Sequence, residues 1–231
     1  MAKNRQRMLN TRARKIARNK QRSARRKQAA KSMSGSGSLR GFSRETIRRA
    51  PVHQVLAFRY DLKTGLGSVV VARELEPDLL ALGVVLLDVF CLGVKNAFLK
   101  IVSRYEFEDM MAHICRVEQL EEVSPAYARK LVDGAIAYAR NLGFEPHRDY
   151  ADAALVFDDI DPAACDTVFK YGKDGKPFYI SGPNHSQEQS RRIIAHLTAR
   201  LGTGNFNYFV GIGPDLDEQD SDWEVETDEE T

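Results

Sequence analysis

The sequence predicts an α+β fold: a single domain with a mixed or mainly antiparallel sheet and three or more helices, flanked by disordered tails. Three observations carry that expectation. Charge is blocked at the two ends: residues 1–49 hold seventeen Lys and Arg against one acid, Glu45, while residues 215–231 hold ten acids and no base. The 165 residues between them, 50–214, are near charge balance and long enough to bury a sizeable core. Within that stretch the elements read β-β-β-α-α, then a β-hairpin, a helix and a last strand, instead of alternating as in a doubly wound sheet. The expected organisation is therefore a basic arm and Gly/Ser linker over 1–49, a globular domain over 50–214 and an acidic tail over 215–231.

Each element has a local reason. Residues 52–60 and 68–75 are rich in β-branched and aromatic side chains, and the intervening DLKTGLG carries two glycines, so a hairpin is expected. The run around GVVLLDVF, residues 82–90, is apolar on both alternations and reads as a strand buried on both faces. Residues 105–120 place Phe107, Met110, Met111, Ile114, Cys115 and Val117 at helical spacing. Ser124 and Pro125 form an N-cap and first-turn proline ahead of an apolar stripe from Ala128 to Leu142, which Gly143 ends. Asp174-Gly175 predicts a type I′ turn joining strands over 167–171 and 178–181. Ser186 and Gln189 form a capping box before Ile193, Ile194, Leu197 and Leu201, with Gly202 as the stop, and a last strand is expected over 206–212.

The arm is the sharpest functional signal. Its candidate nucleic-acid contacts are Arg5, Arg7, Arg12, Arg14, Lys15, Arg18, Lys20, Arg22, Arg25, Arg26 and Lys27, with no carboxylate among them. Such a stretch has little apolar surface to bury and much charge to desolvate, so it is expected to be disordered and to bind a polyanion. RNA or DNA phosphate is the expected partner, bound with weak sequence preference because the arm has few aromatics for base stacking. The acidic tail is expected to compete for the arm.

The domain offers two candidate sites. Asp88 and Cys91 end an apolar strand in DVFCLGVK, and His147 and Asp149 follow the capped helix in EPHRDY. Together they would make a Cys-His-Asp arrangement, with Lys95 or a histidine lowering the Cys91 pKa. The plainer reading has Cys91 as a small buried residue and Asp88 as a cap for the next helix. Gly182, Asn184, Arg191 and Arg192 surround the start of a capped helix, where free amides bind anions, or they simply make a strand-to-helix turn.

Other classes are poorly supported. Asp158, Asp159 and Asp161 lie in DDIDP without a His or further acid at ligand spacing, so no metal is expected, nor any cofactor. No apolar run reaches the roughly 20 residues that span a bilayer, and no secretory signal is expected. Three cysteines without paired spacing suit reduced thiols in the cytoplasm. Oligomeric state is left open.

The segments DVFCLGVKNAF (88–98), YARKLVDGAIAYARNLGFEPHRDY (127–150) and GKPFYISGPN (175–184) resemble the hallmark blocks of an uncharacterised bacterial domain family. The resemblance covers about residues 50–212. It implies a bacterial, cytoplasmic domain and carries over no functional residue. The strand order is also similar to ribonuclease H-like folds, although their acids have no counterparts at matching strand positions.

Overall fold

The computed structural model describes residues 41–60, 65–182 and 185–210. The arm through position 40 and the tail from 211, with every basic contact named from Arg5 to Lys27, lie outside the described residues. The α+β class holds, and the chain gathers into two compact units, Met1–Pro177 and Phe178–Thr231.

The first unit is built on a five-stranded sheet in the order β4-β3-β2-β1-β5, every pair antiparallel. Its strands are β1 (Val52–Phe58), β2 (Leu66–Glu76), β3 (Leu79–Asp88), β4 (Gly93–Ser103) and β5 (Leu120–Glu122). Four consecutive strands form a meander, and β5 returns to lie beside β1. One face is covered by α1 (Arg44–Arg49), α3 (Pro125–Asn141), α4 (Tyr150–Ala153) and the 3₁₀ turn Ala154–Phe157. Among the described residues the other is covered by α2 (Arg104–Ile114) alone, over Val70, Leu80, Leu82 and Phe98.

Several expectations are met closely. Ser124 accepts the Tyr127 N–H at 3.2 Å and Pro125 opens α3, which buries Ala128, Leu131, Val132, Ala135, Ile136 and Ala139 at helical spacing. β3 is buried nearly throughout because helices pack on both of its faces, which is why it reads as a continuous apolar run.

Others are corrected. The folded part begins before residue 50, since Ser43 caps α1 and Ile47 is fully buried. Three arginines counted with the arm are consumed there: Arg44 pairs with Asp152 at 2.7 Å, Arg48 with Asp158 at 3.4 Å, and Arg49 with Glu45 at 2.5 Å. The helix expected over 105–120 ends at Ile114, and Val117 is exposed where the chain turns toward β5. No helix follows Asp88; a tight turn leads into β4, which sequence periodicity does not announce.

Arg73 locks this unit. It is 1% exposed, and its guanidinium donates to Val156 O at 2.8 Å, to Ala50 O at 2.6 Å and to Asp159 Oδ1. A buried guanidinium is tolerated when every donor direction finds an acceptor, and here one side chain ties β2 to both flanking segments. The DDIDP acids are thereby accounted for: Asp159 holds Arg73, Asp158 holds Arg48, and Asp161 accepts the Ala163 N–H at 2.9 Å.

The second unit contains β6 (Phe178–Ile180) and β7 (Asn207–Phe209), paired in parallel, and α5 (Gln187–Leu201). The Asp-Gly turn forms, with Asp174 at φ 53° and Gly175 at φ 77°. It closes only an isolated bridge between Lys173 and Lys176, and residues 178–180 pair with β7 in place of the expected hairpin partner.

Candidate functional site

The turn after β3 gathers most of the candidate chemistry. Asp88 Oδ1 accepts the N–H groups of Phe90 and Cys91, each at 3.0 Å, so its side chain closes the turn that carries the chain into β4. Gly93 ends the turn at φ +66°, and a Cβ there would lie 2.7 Å from Ala139 Cβ and 3.1 Å from Ala135 O on α3. Glycine is therefore required twice over, for its left-handed backbone and for the close approach of α3.

Two later segments are stitched to this turn. Gly172 N donates to Val89 O at 2.9 Å, and His147 N donates to Val94 O at 3.0 Å. Tyr138 on α3 stacks on Tyr171, ring centroids 5.9 Å apart, and Tyr171 Oη donates to Leu131 O at 3.1 Å. The structure thus brings the EPHRDY loop to the DVFCLGVK turn, as a catalytic reading requires.

Its electrostatics run the other way. Asp88 is 5% exposed, and burial pushes its carboxyl up to about 6 against the pull of Lys95 and the turn amides. Cys91 is wholly buried, and its thiol is pushed well above the ordinary cysteine range by burial first and by the Asp88 charge second. Lys95 lowers it, but less than the other two raise it. The lowered thiol that a nucleophile needs is absent at Cys91. Burial, then Cys91 and Asp88, also raise the Tyr138 phenol to about 12.

His147 Nδ1 and Asp149 Oδ2 are 3.8 Å apart, and Asp149 also faces Arg148 Nε at 3.4 Å. Both side chains are partly exposed at the surface, whereas Cys91 is sealed. The arrangement supports a structural junction in which Asp88 shapes a turn that receives two loops. The tyrosines at this junction had no signal in the sequence, because Tyr138 and Gly172 meet only through the packing of α3.

At the anion candidate the helix start is capped by its own side chains. Gln189 N donates to Ser186 Oγ at 3.1 Å and Ser186 N donates to Gln189 Oε1 at 2.8 Å. Arg192 pairs with Glu188 one turn away, Arg191 points to solvent, and Asn184 lies outside the described residues. Behind this start, the buried Tyr179 hydroxyl bonds His185 Nδ1 at 2.8 Å and Ser190 Oγ at 3.0 Å, which fixes β6 to α5, and Gly182 O accepts the His185 N–H at 3.0 Å.

A different feature escaped sequence reading altogether. Between α2 and the sheet lies an open cavity of about 490 Å³ floored by Val84, Leu86 and Phe98 and walled by Met110 and Ile114. Among the described residues no group of three His, Cys, Asp or Glu side chains is placed to hold a metal, and no helix is long and apolar enough to cross a membrane. No family model, no curated protein and no solved structure matches this chain.

Proposed function

We propose that this chain is a non-enzymatic nucleic-acid-associated protein, RNA favoured, that attaches to phosphate backbones through its basic N-terminal segment and works in a bacterial cytoplasm. One observation carries the reading. After the three arginines of α1 are assigned to ion pairs, residues 1–40 still hold fourteen Lys and Arg and no acid. Such a segment gains affinity by releasing counterions, and it positions the protein without selecting a sequence. The sealed Cys91 and the raised Asp88 weigh against the rival reading, a hydrolase or nuclease built on Asp88, Cys91, His147 and Asp149. A protein-interaction module whose arm only addresses anionic surfaces is the other rival.

The test is binding of the full chain, and of a chain lacking residues 1–40, to single-stranded RNA and DNA across a salt series. For the full chain, log K should fall by roughly 0.7 per neutralised phosphate for each log unit of salt on single strands. The shortened chain should lose both the affinity and the slope. Equal binding by the two chains overturns the proposal, and binding to neither nucleic acid leaves the interaction-module reading standing. Removing residues 215–231, with their ten acids, should tighten binding at low salt if the tail competes for the arm.

A further inference from the structure

The two faces of the sheet are not covered equally. β3 and β4 have 10 and 11 residues, about 33–36 Å of strand, whereas the 11 residues of α2 make about 16 Å of helix. Among the described residues one helix of that length leaves part of the face open, and the cavity of about 490 Å³ occupies that part. On the floor, cross-strand pairs Leu86↔Asn96 and Val84↔Phe98 lie beside Leu82↔Lys100, so the apolar floor is bordered along β4 by an amide and a cation.

The polar groups around the cavity are unequally committed. Glu118 is engaged, its carboxylate accepting the Ser68 N–H. Asp109 and His113 also line the cavity from α2, but both are exposed, so water screens their charge. Lys100 is different. It is half-buried, its Nζ lies 5.3 Å from the centroid of the Phe98 ring, and it has no carboxylate partner among the described residues. A cation parked on a ring over an apolar floor has given up part of its hydration without gaining an anion.

We propose that this cavity binds a small apolar carboxylic acid of the medium-chain fatty acid class, its chain on Val84, Leu86, Phe98, Met110 and Ile114 and its carboxylate on Lys100. The volume falls within the roughly 300–1,000 Å³ of small-molecule sites, and a mainly apolar lining with few polar groups is their usual composition. Flexible Met110 lets the wall adapt to the chain.

The test uses the full chain, the neutral dye N-phenyl-1-naphthylamine as reporter and dodecanoate as competitor, in about 0.3 M NaCl to screen the basic segment. Dodecanoate should displace the dye from the unaltered protein. Lys100→Met should weaken dodecanoate by about tenfold, the scale of one charge-assisted bond, and leave dye affinity unchanged. Leu86→Trp, at a half-exposed position, should weaken both by filling the floor. No displacement from the unaltered protein, unchanged dodecanoate affinity in Lys100→Met, or undiminished binding of both by a folded Leu86→Trp each overturns the proposal. Should Leu86→Trp fail to fold by circular dichroism, the half-exposed Lys100→Met decides alone. Neither substitution touches residues 1–40, so RNA binding by that segment stands or falls separately.

Discussion

Replacing Asp88 by Asn should leave stability little changed in acid and raise it as pH increases. The amide oxygen can still accept the Phe90 and Cys91 N–H groups, so the turn keeps its closure. What disappears is a buried carboxyl that resists ionising. Its pKa rises from the ordinary 3.8 to about 6 on folding, a difference worth about 3 kcal/mol at about 1.36 kcal/mol per unit. Because the folded value is the higher one, the folded chain holds this proton more tightly than the unfolded chain does. The contribution is complete below pH 3.8 and is lost as pH rises through 6. Urea unfolding of both proteins between pH 4 and 8 measures it. The gap between Asp88→Asn and the unaltered protein should widen in favour of the variant by up to about 3 kcal/mol across that range. Other carboxyls titrate in both proteins and cancel in the difference. Parallel curves would refute the argument, and so would a gap that narrows with pH, the pattern of a carboxylate whose pKa is depressed.

Three further outcomes are expected. Gly93→Ala should destabilise the first unit by about 2 kcal/mol or more, combining a left-handed backbone with a clash against α3, and chemical denaturation will show it. Arg73→Met should cost about 3 kcal/mol in the same assay, since Ala50 O and Val156 O lose their donor inside the fold. Under native conditions iodoacetamide should modify exposed Cys115 first, with Cys91 and Cys165 reacting only as the protein opens; mass spectrometry of timed samples reads the order, and early labelling of Cys91 would contradict its burial.

How far the sequence reached depends on the range of the interaction involved. The α3 helix was legible to its first residue because its cap, proline and apolar stripe all lie within one continuous segment. β4 was not, although it is among the longest strands: Lys95, Asn96 and Lys100 interrupt its pattern, and the register shifts opposite Leu86 and Leu87. Among the described residues it is also an edge strand, paired on one side only, and its identity comes from β3. The candidate site divides the same way. Asp88 as a turn-former is a short-range property, and so is the capping box at Ser186. The burial that raises Asp88 and seals Cys91 comes from α3 and the 172 region, tens of residues away.

By itself, the sequence determined the charge blocks, the α+β class, the caps and the turn at Asp174-Gly175, because each depends on composition or on residues within a few positions. Only the tertiary structure decided that residues 178–180 pair in parallel with β7, that Cys91 is enclosed, and that one short helix leaves an apolar cavity beside Lys100. Those outcomes depend on which surfaces meet and how completely they cover one another. Burial and partner choice are properties of the assembled layers, and no local stretch of chain encodes them.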